Sequence, residues 1–198
     1  MIKYINLSQT APYLHFQKKY QEAIHAGQDN IQAISISSYN TKSNEVDCRY
    51  VNLKIIKNRD FIFFSNYNSP KSIAFESHNQ IAALFYWSST DTQIRLKARI
   101  NKTSAAYNDE YFKKRSIDKN AIAISSDQSR LIDSYESVIK NYEKSIEFSD
   151  LNKCPNYWGG YRFTPYYFEF WEGHKSRLNK RDAYKQNGNA WDHFSLQP

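Results

Sequence analysis

Cysteine is almost missing from this chain of 198 residues: Cys48 and Cys154 are the only two, and neither has a Cys or His partner at metal-ligand spacing. That argues against a disulfide framework and a zinc site, and both are read as free thiols. Glycine and proline number five each, too few for a low-complexity chain or a repeat array. No window approaches the run of about 18 apolar residues that a membrane span needs. The opening MIKYINLSQTAPY has no apolar core of signal-peptide length. A cytoplasmic chain with no membrane partner is expected. There is no Walker loop, HExxH or GxGxxG, and His15, His25, His78, His174 and His193 stand apart from any Ser or Cys nucleophile motif. Hard chemistry on such a chain would belong to a bound cofactor.

What the chain has in quantity is aromatic and basic residues. It carries 16 Tyr, 12 Phe and 4 Trp, and its formal charge is +7. The charge points to an anionic partner: nucleic acid, a membrane surface or a phosphorylated small molecule. Most of the cations are scattered as on an ordinary solvated surface, so only clusters carry an argument.

PYLHFQKKYQEAIHAG reads as an amphipathic helix, with Pro12 near its start, apolar or aromatic positions at Leu14, Phe16, Tyr20 and Ile24, and Gly27 as its stop. IQAISIS, CRYVNLKIIK, DFIFFS, QIAALFYW and TQIRLKARINKT are short β-branched and aromatic runs, separated by turn clusters such as YNTKSNE and KNRD. They predict strands joined tightly enough to be largely antiparallel. Ile94, Leu96, Ala98 and Ile100 alternate with Gln93, Arg95, Lys97 and Arg99, which gives one buried face and one wet, basic face. AAYNDEYFKKR and SRLIDSYESVIKNYEKSIEF carry helical periodicity, and Asn187-Gly188 marks a closing hairpin. One domain covers 1–198, with a helical N-terminal segment 1–29.

Several clusters could hold an anion. Ser69-Pro70-Lys71 opens a helix, where free N–H groups, the helix dipole and an ammonium suit a phosphate. Tyr111 and Arg115 are four apart, with Lys119 next in the row. Arg49 and Lys54 differ by an odd number, so an unbroken strand would aim them to opposite faces. YWGGYRFTPYYFEFWEGHKSRLNKR, residues 157–181, holds three of the five glycines and two of the four tryptophans and ends in cations. Flat rings and arginines of this kind stack on planar ligands.

Taken together, FEFWEGHKSRLNKR, the preceding YWGGYR, and RYVNLK, SPKS and DQSR resemble, in order and separation, the pyridoxamine 5'-phosphate oxidase family, over about Asn30 to Pro198. The resemblance implies a mainly β fold with flanking helices: an FMN-binding split β-barrel of antiparallel Greek-key type. It also implies a C-terminal dimerisation region at 155–198 and a homodimer with FMN at the subunit interface. FMN would be held by Arg49, Lys54, Phe64, Ser65, Lys71, Gln93, Trp171 and Arg181, with Gln128 and Ser129 contributed by the other subunit. The substrate, a phosphorylated pyridine, would lie among Lys54, Tyr111, Arg115, Lys119, Arg177 and Asn179, with Arg177 and Asn179 as the catalytic pair. The implied reaction is oxidation of pyridoxamine or pyridoxine 5'-phosphate by O2, releasing H2O2. Departures stand at Asn179, Lys119 and Pro70, where the family has His, Ser and Arg. Two alternatives stay open: a related flavin oxidase of the phenazine-biosynthesis type, and a non-catalytic split barrel binding flavin or nucleic acid. Nucleic acid is not the expected partner, although Arg95, Lys97 and Arg99 would suit it.

Overall fold

The computed structural model describes Met1–Pro198. Its order is β1 (Lys3–Ile5), α1 (Ala11–His25), β2 (Ala33–Asn40), β3 (Glu45–Asn52), β4 (Ile55–Lys57), β5 (Asp60–Asn66), α2 (Pro70–Ser77), β6 (Gln80–Trp87) and β7 (Thr92–Lys102). There follow α3 (Ala105–Lys113), α4 (Ile117–Ser125), α5 (Tyr135–Phe148), β8 (Trp158–Glu172), β9 (Lys180–Asn187) and β10 (Ala190–Ser195).

All ten strands join one sheet, in the order β1-β4-β5-β8-β7-β6-β2-β3, with β9 and β10 branching from β8. The fifteen-residue β8 is the spine. Along one side it pairs with β7; along the other its first half pairs with β5 and its second half with β9. Pairing is antiparallel throughout except between β1 and β4. The sequence reading missed β1, because three residues carry no periodicity and the strand exists only through that pairing.

The alternation in β7 is realised as expected. Ile94, Leu96, Ala98 and Ile100 are buried in the core, while Arg95, Lys97 and Arg99 face water. Tyr13, Phe16 and Tyr20 on α1 close this core from above, against Phe61, Phe85, Trp87 and Phe168. Burying each such ring contributes roughly 2–3 kcal/mol. Gly27 takes a φ of +72° just past α1, the left-handed stop that glycine adopts freely. α5 is shorter than its periodicity suggests: Ser134 accepts from the Ser137 N–H at 3.2 Å and starts the helix there, leaving Leu131 and Ile132 exposed before it.

Candidate functional site

Ten of the expected site residues line a single cavity of about 850 Å³: Arg49, Lys54, Phe64, Ser65, Lys71, Tyr111, Arg115, Lys119, Gln128 and Ser129. Lys114 adds a sixth cation, and Asp47 is the one carboxylate in the lining. The cavity lies where the chain leaves β3 for β4. That departure corrects the parity expectation for Arg49 and Lys54. β3 ends at Asn52, Leu53 donates its N–H to Gln32 and is buried, and Lys54 donates its backbone N–H to Ile62 as the chain crosses to β5. The crossing re-aims Lys54, so both cations line the same cavity from different ends.

At one end, α2 begins. Ser69 does not cap the helix through its side chain. Its hydroxyl donates to the Asn66 carbonyl at 2.8 Å and accepts from Lys71 Nζ at 3.0 Å. Lys71 is only 6% exposed. Burial, and then the Arg49 charge, push its ammonium down to about 8, with Asp47 opposing. Arg49 Nη1 donates to Ser38 Oγ at 2.7 Å and to the Ile36 carbonyl at 3.2 Å, and Nη2 pairs with Asp47.

At the other end, aromatic rings carry the cations. Phe64 stacks on Tyr111 with centroids 3.6 Å apart and on Trp158 at 5.3 Å, and the Arg115 guanidinium lies 4.3 Å from the Trp158 ring. α3 stops at Lys113, so Arg115 sits in the turn beyond it, and Lys119 stands in the first turn of α4 rather than further along one helix. Arg115 Nη2 donates to the Lys119 carbonyl at 3.0 Å, whereas Arg115 Nη1 is buried with no partner. The Lys54 ammonium also lacks a protein partner; burial lowers its pKa first, then the Lys119 and Arg115 charges. Such a cluster is costly by itself and becomes favourable once an anion enters.

The glycines of YWGGYR seat this end. Gly160 lies opposite Phe64 in the β5–β8 register. A Cβ at Gly159 would come within 2.2 Å of Asn108 Nδ2 and Tyr67 Oη. Asn108 on α3 accepts from the Gly160 N–H at 2.9 Å and donates to Tyr67 Oη at 3.0 Å. Bare backbone thus lets α3 approach β8 closely enough to present Tyr111.

Gln128 and Ser129, expected from a second subunit, belong to this cavity within one chain. The segment after α4 folds back over β5, where Ser65 Oγ donates to Gln128 Oε1 at 3.2 Å and Asn66 Nδ2 donates to the Ser126 carbonyl at 3.2 Å.

The remaining expected residues, Gln93, Trp171, Arg177, Asn179 and Arg181, do not line the cavity. Gln93, Trp171 and Arg181 are register partners in one row across β7, β8 and β9, on the face away from the core. Arg181 forms a two-pronged pair with buried Glu169, at 3.0 and 2.7 Å. Arg177 is exposed in the β8–β9 loop at a φ of +59°. Asn179 Oδ1 accepts from the His174 N–H at 3.0 Å and closes that loop.

Sequence reasoning passed over Asp47 and Trp158. Asp47 stands two before Arg49, so a strand puts both on one face; Trp158 stood unassigned inside the aromatic stretch.

The donor set fits a phosphorylated planar cofactor. Six cations face one carboxylate, a guanidinium nitrogen is orphaned, and stacked rings lie beside them. No helix is long and apolar enough to cross a membrane.

Residues 158–198 match the family model described as the pyridoxine 5'-phosphate oxidase C-terminal dimerisation region. The fold is that of FMN-binding split barrels. It is similar to PhzG from Burkholderia lata 383, solved with tetrahydrophenazine-1-carboxylic acid (TM-score 0.89, 23% identity, 96% of this chain and 93% of that one). It is also similar to a pyridoxamine 5'-phosphate oxidase-related, FMN binding protein from Nostoc punctiforme (TM-score 0.77, 12% identity, 96% and 100%). Among relatives in sequence are the pyridoxine/pyridoxamine 5'-phosphate oxidases of Herminiimonas arsenicoxydans, 33% identical over 94% of this chain and 89% of the relative, and Burkholderia orbicola, 34% identical over the same shares. With that identity sustained across nearly its whole length, the chain belongs to the pyridoxine/pyridoxamine 5'-phosphate oxidase family.

Proposed function

We propose that the chain is a homodimeric, FMN-dependent oxidase that converts pyridoxine or pyridoxamine 5'-phosphate to pyridoxal 5'-phosphate, with O2 as acceptor and H2O2 as product. The observation that carries this reading is the cavity with a cationic cluster at each end, one of them holding the orphaned Arg115 Nη1. Two clusters suit two phosphates.

Lys71, Arg49 and the start of α2 would hold the phosphate of FMN, with Ser65, Phe64, Gln128 and Ser129 beside its ring system. Bound there, FMN would supply the two-electron acceptor that the reaction with O2 requires. Lys54, Tyr111, Arg115 and Lys119 clamp the substrate phosphate, each charge-assisted bond contributing roughly 1.5–3 kcal/mol. Clamping one end of a rigid pyridine fixes where its other end lies, and positioning of this kind supplies much of the rate. Arg177 and Asn179, with Gln93, Trp171 and Arg181, complete the site from the second protomer; Arg177 covers the pyridine ring, and Asn179 holds the loop that carries it.

The test is purified protein reconstituted with FMN and given pyridoxine 5'-phosphate or unphosphorylated pyridoxine under air. Peroxide and pyridoxal 5'-phosphate should form from the first, and the second should be far poorer. Equal turnover of both, or turnover only of an unphosphorylated ring carboxylate, would move the protein to a different oxidase within the family. Arg115→Ala should raise KM for the phosphorylated substrate about 10- to 100-fold with flavin still bound. Loss of flavin instead would assign Arg115 to the cofactor.

A further inference from the structure

The phosphate-binding end of the cavity contains its own anion. Arg49 is fixed from behind: Nη1 is engaged by Ser38 Oγ at 2.7 Å and the Ile36 carbonyl at 3.2 Å. Those two bonds set the guanidinium plane. Its outward nitrogen, Nη2, pairs with Asp47, whose side chain is 66% exposed. Asp47 also accepts from the Cys48 N–H at 2.7 Å. No other carboxylate lines the cavity, and Asp47 acts on Lys71 as well as on Arg49, opposing the downward pull on the Lys71 ammonium.

We propose that Asp47 is a built-in counter-anion that competes with an incoming phosphate for Arg49 Nη2 and so sets how tightly the cofactor is held. The inference rests on assigning this end of the cavity to the FMN phosphate. The geometry favours competition over support. Arg49 is oriented by Ser38 and the Ile36 carbonyl, so it keeps its position when Asp47 leaves. A mostly exposed carboxylate swings into water at little cost. A phosphate dianion and a carboxylate cannot share one guanidinium edge without strong like-charge repulsion. Asp47 therefore moderates the mutual repulsion of Arg49 and Lys71 before binding and opposes the ligand during it.

The experiment compares wild type, Asp47→Asn and Asp47→Glu as flavin-stripped protein, each titrated with FMN and, separately, with riboflavin, and followed by flavin fluorescence. Asparagine keeps the acceptor for the Cys48 N–H and removes the charge. Asp47→Asn should bind FMN about three- to tenfold tighter, with slower release. Asp47→Glu should stay near wild type, and riboflavin, which lacks the phosphate, should bind all three alike. If wild type prefers FMN over riboflavin but Asp47→Asn binds FMN equally or more weakly, the competition is disproved while the cofactor assignment stands. If wild type holds riboflavin as tightly as FMN, the assignment of this end to a phosphate fails and the proposal falls with it. Thermal unfolding of the stripped proteins checks that each variant is folded; an exposed residue on an edge strand should shift the midpoint little.

Discussion

Lys71 is a buried ammonium whose only side-chain partner is the neutral Ser69 hydroxyl, and its pKa of about 8 lies below the 10.5 of the free side chain. The folded state therefore gives up this proton before the unfolded state does. Between pH 8 and 10.5 the unfolded chain binds more protons, so this residue makes stability rise with pH; its penalty is complete below pH 8. The difference in unfolding midpoint between flavin-free Lys71→Met and wild type should narrow from pH 8 to pH 10. A bound phosphate, which restores the ammonium, should abolish that trend. No difference across the range would mean that Lys71 is hydrated in solution. Residues at this scale were legible where local grammar holds and hidden where it breaks. The helix start that places Lys71 in a first turn was readable from SPKS. The convergence of Arg49 and Lys54 was not, because it depends on Leu53 leaving one pair of strands for another.

Helix α3 reaches β8 through Gly159 and Gly160, with Asn108 bonded into the gap. Gly159→Ala would force apart Asn108 and Tyr67 and push back the helix that presents Tyr111. The expected loss is about 1–3 kcal/mol of stability, seen in denaturant unfolding, together with a raised KM for the phosphorylated substrate. A stability loss with unchanged KM would show that α3 is held by other contacts. The strands of the β section and the closing hairpin were legible because alternation and turn residues are local signals. β1 was not, since its partner is 52 residues away in the parallel pair Lys3–Ile55. The start of α5 was misplaced for a simpler reason: Leu131 and Ile132 continue the helical spacing, but Ser134 caps first.

Across the whole molecule, the expected site residues fall into two groups, one around the cavity and one along the β7–β8–β9 row and its loop. The resemblance in the sequence supplied both groups; that Gln128 and Ser129 also line the cavity of their own chain was not legible, because which loop folds back on its own strand is a matter of three-dimensional path. If each site joins one group from each protomer, Arg115→Ala and Arg177→Ala homodimers should both turn over slowly when the substrate is kept well below the raised KM. Mixing them under conditions of subunit exchange should recover about a quarter of wild-type turnover, since half the dimers are mixed and each mixed dimer has one intact site. No recovery in mixtures shown to contain mixed dimers would place both residues at the same end of one chain.

The division between cavity and row also makes concentration a control variable. If each site joins the cavity of one protomer to the row of its partner, a lone protomer carries the front of one site and the back of another, and no complete one. Diluted past the point where pairs come apart, the enzyme should lose rate per molecule and then fall toward a square-law dependence on its own amount.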